Sequence, residues 1–398
     1  MGTSEQRVDI PPKVTGQPAY LHDLRLPGML HARVLRPRVD GPAVLTAIDG
    51  SAVQGMPGVV KVVRDGSFVG VIAEREFQAI RAIDNLRESA KWKVHDLPDY
   101  GHLYDHLAEL PVTKSVSSDV VGTPSVIPDG AAKVLEAQYR NPYQSHGSIG
   151  PSCAVAEYSD DRLTVWAATQ SPYPLRAALA EVVRMPPEKI QVVYREGAGC
   201  YGQNGQDDVA GDAALLALAH PGRPIRVQWT RQDEFAAETK YPAMIVDIKG
   251  AVDGSGTVVL FDFRFRSGPH LARRAVSEPQ DDGRTSLIGG WYKSHPLSPF
   301  WVDGAAFSRT HDLSSDLNPL YAVPNSLHKG VYYKSPLRSG ELRAVGDFSV
   351  FFAVESFMDE LSVAAARDPV DFRMQHLKGH TRRADIVRET ARLAKWTP

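Results

Sequence analysis

The chain has 398 residues, enough for two or three ordinary domains and a large buried core. Hydrophobic residues make up 43% and charged residues 23%, which is a soluble globular composition and not a disordered or fibrous one. With 45 basic and 47 acidic residues and a formal net charge of -2, the electrostatic footprint of a nucleic-acid binder is missing.

Met1 to Gln6 contain no basic stretch leading into an apolar run, so no secretory or twin-arginine signal is read. The expected location is the cytoplasm, with membrane or periplasmic association only through partners. From Pro11 to Val94 short apolar runs alternate with turns at Met29–Val34, Gly58–Val63 and Phe68–Ala73, and helical spacing follows from Glu76 to Ala90. That predicts a small mixed domain over residues 8–97. Residues 98–130 lose periodicity and collect Ser, Asp, Pro and Gly, as a surface linker does.

A second region, residues 131–398, carries strand patterns at Ala132–Arg140, Cys153–Tyr158, Leu163–Ala167, Ile190–Tyr194, Ile225–Trp229, Met244–Val252 and Val258–Arg266. Asp253-Gly254 predicts a turn between the last two. Helical patterns at Pro174–Val183, Asp207–Ala219 and Val350–Arg367 alternate with the strands, so the fold class is α+β. Ser267 to Ser339 is rich in His, Pro, Trp and Tyr with weak periodicity, and an irregular stretch of that length is usually functional or an interaction surface.

Chemistry concentrates in three stretches. In "REGAGCYGQNGQDDVAGDAALLA", Arg195 to Ala217, a strand pattern gives way to glycines and then to a helix. Glycine permits positive φ and close approach to the main chain, and amides at a helix start favour an anion. A plain strand-to-helix turn explains the same residues. Gly-Lys-Ser/Thr is missing, so this is no Walker loop, and Gly197, Gly199 and Gly202 only loosely imitate the dinucleotide fingerprint. Asp207 and Asp208 fall in the first helical turn, where carboxylates complement the helix dipole; capping is the simpler reading beside catalysis.

Gln170, in "VWAATQSPYPLR", is placed at the end of a strand, where its amide offers both a donor and an acceptor, to a ligand or to solvent. Arg338 and Arg343 stand in a glycine-containing loop before an amphipathic helix and suit a phosphate or carboxylate, or solvent. His146, His270, His295 and His311 show no metal-ligand spacing. The two cysteines exclude a disulfide framework or a cysteine-held metal cluster. Cys153 reads as core, whereas Cys200 lies inside the glycine loop.

Taken in order, these stretches resemble the molybdenum-cofactor-binding large subunit of the xanthine dehydrogenase and aldehyde oxidase family. The nearest branch holds the beta subunits of isoquinoline 1-oxidoreductase and the molybdopterin-binding subunits of nicotinate dehydrogenase. "PPKVTGQPAYLHDLRLPGMLHARVL" through "REFQAIRAIDNLRESAKWK" is similar to that family's a/b hammerhead domain, and residues 131–398 to its first molybdopterin-binding domain. The resemblance implies that Gln170 hydrogen-bonds an oxo ligand of molybdenum. It also implies that Gly197, Ala198, Gly199, Cys200, Tyr201, Gly202 and Gln203 bring backbone amides against metal and pterin, and that Arg343 lies in the arginine loop. Two departures stand out: Cys200-Tyr201 replaces the family's loop phenylalanine, and Gln203 and Asn204 replace residues that are often charged.

The family's catalytic glutamate belongs to a second molybdopterin domain, and the sequence ends at "RETARLAKWTP", roughly where that domain would begin. The expectation is therefore one subunit of a multi-subunit molybdenum hydroxylase that hydroxylates an N-heterocyclic aromatic or oxidises an aldehyde, with water as oxygen source. Molybdopterin with molybdenum, in a cytosine dinucleotide form or another, is the expected cofactor. Expected partners are a second molybdopterin-binding chain carrying the glutamate, a small [2Fe-2S] subunit, since the cysteines for iron-sulfur clusters are not here, and a flavin or cytochrome electron acceptor. The alternative is a non-catalytic scaffold or assembly subunit that keeps the fold without the cofactor.

Overall fold

A computed structural model describes residues 3–39, 43–94, 96–117, 120–202, 207–270, 287–297, 321–344, 346–377, 379 and 381–398. Its strands are β1 (Leu30–Leu35), β2 (Ala43–Ala47), β3 (Val59–Asp65), β4 (Phe68–Ala73), β5 (Lys91–Val94), β6 (Val112–Ser117), β7 (Ala131–Asn141), β8 (Cys153–Ser159), β9 (Arg162–Ala167), β10 (Ile190–Tyr194), β11 (Ile225–Gln228), β12 (Met244–Asp253), β13 (Val258–Ser267) and β14 (Ser326–Tyr333). The helices are α1 (Ile10–Val14), α2 (Ser51–Gln54), α3 (Glu76–Ser89), α4 (Leu103–Glu109), α5 (Pro172–Val183), α6 (Asp208–Ala219), α7 (Arg231–Ala237), α8 (Asp347–Ala364), α9 (Pro369–His376) and α10 (Thr381–Leu393).

The period-2 pattern of the apolar strands decides what packs where. In β4 every residue is buried because both faces are covered. Phe68 and Ile72 face one core with α5 and α6, while Val69 and Val71 face another with Ala82, Ile83 and Leu86 of α3. Helix α6 is mostly apolar, built from Ala, Val and Leu with Gly211 and two carboxylates, Asp208 and Asp212, and most of it is buried. A second sheet and α8 enclose a separate aromatic core that includes Phe261, Phe263, Phe357 and Phe372. The turn joining β12 to β13 is held by Asp253, whose side chain accepts from the amides of Ser255 and Thr257 at 2.8 and 2.9 Å.

The seven-stranded sheet runs β10-β9-β8-β11-β1-β4-β3 and the five-stranded sheet β6-β14-β13-β12-β7. Strand β1 pairs in parallel with β11, Leu30 opposite Ile225, so the first region and the second share a sheet across residue 97. Residues 98–130, expected to be a linker, hold α4 and β6, and β6 pairs antiparallel with β14. The stretch "VTKSVS" shows little sign of this because an edge strand buries little and need not be apolar.

Where β1 ends, Arg36 crosses to α6 and meets Asp212 at 2.5 Å, both side chains within 1% of full burial. Trp229 donates to the other carboxylate oxygen at 2.9 Å, and the Arg36 guanidinium lies 4.9 Å over the Tyr292 ring. Replacing Asp212 by Ala leaves a buried cation without its counter-charge, and we expect a loss of about 3–5 kcal/mol. Denaturant unfolding measures it, and an Arg36→Met change in the same background should recover part of the loss.

Candidate cofactor site

The glycine loop starts where β10 leaves the sheet. Arg195, one residue past the end of β10, still donates to the Ala167 carbonyl at 3.0 Å. Beyond it, three loop carbonyls are taken by three distant segments: Glu196 accepts from Leu21 at 2.7 Å, Ala198 from Gly150 at 2.8 Å and Tyr201 from Arg343 at 2.5 Å. Among the described residues, the amides of Gly197, Ala198 and Gly199 donate no main-chain hydrogen bond. The main chain of distant segments thus takes three of the loop's carbonyls, while these three amides have no main-chain partner.

Two glycines are required by geometry. Gly202 has φ +103, and a Cβ there would stand 2.6 Å from the Arg343 nitrogen and the Leu342 carbonyl carbon. At Gly197 a Cβ would come 2.7 Å from that of Ala168. Gly199, at φ +115, swings the chain so that the Tyr201 hydroxyl lies 3.2 Å from where its own Cβ would be, folding the tyrosine back over the loop.

Gln170 is not at the end of a strand as its sequence pattern suggests. Strand β9 stops at Ala167, and Gln170 stands exposed in the loop to α5, where Ser171 donates to the Thr169 hydroxyl at 3.0 Å. The Cys200 sulfur sits 3.5 Å from Gln170 Oε1. The structure thus brings together Gln170, the loop from Gly197 to Gly202, and Arg343, whose side chain is exposed. Gln203 and His311 lie outside the described residues.

A buried polar layer supports the loop. His146 Nε2 lies 2.7 Å from the Glu341 carbonyl, and the His146 amide donates to Glu238 at 2.9 Å. Burial lowers the affinity of the His146 ring for a second proton, with the Glu341 and Gly202 main chains working against the shift. Burial likewise raises Glu238, opposed first by the Lys240 charge. Nothing in the sequence singled out His146 for this role, since a histidine in "NPYQSHGSIGPS" has no partner visible locally.

Asp207 and Asp208 begin α6 as expected, but their side chains do not cap it: Asp207, at φ 58, makes no side-chain cap bond and instead accepts from the Thr169 hydroxyl at 2.5 Å. Asp208 pairs with Arg338 at 2.7 Å and accepts from the Ile288 amide at 2.8 Å, tying α6 to two segments far along the chain. Arg338 therefore meets a carboxylate of its own chain and lies 5.0 Å over the Trp291 ring. The physical reason is burial, which demands partners that a helix dipole alone does not supply.

Among the described residues no group of three or more His, Cys, Asp or Glu could hold a metal ion, so a metal here would need ligands brought by its own cofactor. Residues 115–272 match the molybdopterin cofactor-binding domain family. The chain is 37% identical over 406 residues to a nicotinate dehydrogenase subunit of Pseudomonas putida, matching all of this chain and 32% of that protein. It is 26% identical over 411 residues to the beta subunit of isoquinoline 1-oxidoreductase from Brevundimonas diminuta, again matching all of this chain and 49% of the relative. Quinoline 2-oxidoreductase from Pseudomonas putida 86 shares the fold, with TM-score 0.68 and 21% identity over 94% of this chain and 50% of that one.

Residues 115–272 carry a molybdopterin cofactor-binding domain, and the whole chain is similar to subunits of nicotinate dehydrogenase and isoquinoline 1-oxidoreductase. It spans about a third to a half of the length of these relatives. The molybdopterin cofactor-binding match takes in Gln170 and the glycine loop, and Arg343 lies beyond it. Amides without a main-chain partner and two glycines that admit no side chain fit the close approach of a bound cofactor. No helix among the described residues is long and apolar enough to cross a membrane.

Burial raises the Asp208 carboxyl from 3.8 to about 6, against the pull of Arg338. The stability this group contributes is therefore present below its unfolded value and is lost as pH rises through its folded one. Between pH 4 and pH 7 the unfolding free energy of the Asp208→Asn variant should gain about 2 kcal/mol on that of the parent. Paired denaturation curves at the two pH values give the difference.

Proposed function

We propose that this chain forms one side of the cofactor cradle of a molybdenum hydroxylase that acts on an N-heterocyclic aromatic or an aldehyde. The observation that carries the reading is the convergence of Gln170, the amides of Gly197 to Gly199 and the Arg343 loop around one half-buried turn. The nicotinate, isoquinoline and aldehyde substrates in the names of its relatives support the substrate class.

When bound, the molybdenum cofactor supplies two-electron oxidation with water as the source of oxygen. Gln170 donates its amide N–H to an electron-rich ligand oxygen, as preorganised donors do wherever negative charge gathers. The loop amides hold the pterin side by hydrogen bonding, and Arg343 brings a fixed positive charge to the same face. His146 and Glu238 move no proton in this scheme; they keep the loop and the Arg343 segment in register. The resemblance to the family leads us to assign the catalytic glutamate to a second molybdopterin-binding segment, while the buried Asp208, Glu234 and Glu238 of this chain bond to Arg338, Ser152 and His146. A small iron-sulfur subunit and a flavin or cytochrome acceptor complete the electron path, and a cytosine dinucleotide form of the pterin suits this branch. We place the assembly in the cytoplasm.

The complex co-expressed with its neighbours should contain molybdenum by metal analysis. Gln170→Ala should keep most of the metal but lower kcat about 100-fold, the usual effect of losing one charge-stabilising donor. A complex free of molybdenum would sink this reading in favour of a scaffold. Gly202→Ala, which forces the loop off the Arg343 main chain, should lower the molybdenum content itself, read by the same metal analysis.

A further inference from the structure

The first residue of α5 buried against the seven-stranded sheet is Leu175. Ahead of it, Pro172 and Tyr173 face β9 and β10, the last strand of that sheet, across a cavity of about 440 Å³. A space of that size accepts a small ligand. It shares no residue with Gln170, the glycine loop or Arg343.

Part of the lining is apolar: Pro172, Ile190 and Val192, with Tyr173 leaving 67% of its surface exposed beside them. The charges do not balance. Lys189 is paired with Asp161, which leaves Arg162 and Arg176 in the lining against one carboxylate, Glu188. Among the described residues neither arginine pairs with a carboxylate, and the Arg176 guanidinium lies 5.3 Å over the Tyr173 ring. That stacking holds the ring and the cation together while the guanidinium N–H groups keep their donors.

We propose that this cavity binds a planar aromatic monoanion, an aryl carboxylate by class, at a site separate from the cofactor cradle. The ligand ring covers the apolar wall beside Tyr173, and its carboxylate takes the unpaired guanidiniums of Arg176 and Arg162, whose fork suits two oxygens at once. An inorganic anion would leave the apolar wall wet. A dianion would meet the Glu188 charge more strongly than a monoanion does. The site depends on no metal, so it stands or falls apart from the molybdenum reading.

The test titrates the full chain, as purified, with benzoate by isothermal calorimetry. Saturable binding is expected, and benzamide, which has the same shape without the charge, should bind about tenfold more weakly. Arg176→Gln should weaken benzoate about tenfold and Tyr173→Ala about threefold, with the unfolding midpoint of each variant checking that it is folded. Gln170→Ala should leave the affinity unchanged. Benzoate binding that neither cavity variant weakens, or that Gln170→Ala abolishes, would place the anion elsewhere and overturn the proposal. Absence of saturable binding, or equal binding of inorganic phosphate, would overturn it as well.

Discussion

At Gly202 two main chains meet with no room for a side chain between them. The Tyr201 carbonyl takes the Arg343 amide at 2.5 Å, and a Cβ on Gly202 would stand 2.6 Å from that same nitrogen. This contact ties a loop leaving the seven-stranded sheet to a loop leaving the five-stranded one. It brings the Arg343 main chain to the loop that also holds Cys200, whose sulfur lies 3.5 Å from Gln170 Oε1. A backbone contact of this kind tolerates no bulk, which is why glycine stands there and why positive φ is needed on the way in.

The polar layer beneath follows from the same constraint. Once two loops are drawn over the interior, the groups they cover must find partners. His146 bridges the Glu341 carbonyl and the Glu238 carboxylate, Asp208 and Arg338 neutralise each other, and Asp207 takes the Thr169 hydroxyl. None of these pairs is local in sequence. Together they give the loop a firm underside.

Much of the architecture was legible in residue patterns. The strands from β7 to β13 and the helices α3, α5, α6 and α8 appear within a few residues of where apolar periodicity predicts them, because burial on one face or all round imposes a period. Missed strands such as β6 and β14 fall in polar or irregular stretches, and each is specified by its neighbour more than by its own composition. Of the candidate site, the glycine loop, Gln170 and Arg343 were visible by their residue types and by resemblance. His146 was not, since a histidine acquires a role from what surrounds it.

Residue type and short-range spacing were thus enough for the main elements and for the glycines at the mouth of β10. Folding in three dimensions settled the rest: the first region extends the sheet of the second, Asp207 and Asp208 at the start of α6 turn their side chains to buried contacts, Arg338 meets a carboxylate of its own chain, and Cys200 faces Gln170. The physical reason is distance along the chain. A helix or strand is fixed by neighbours a few residues away, whereas a buried charge or a main-chain crossing is fixed by groups far apart, 30 positions for Cys200 and Gln170 and 176 for Arg36 and Asp212.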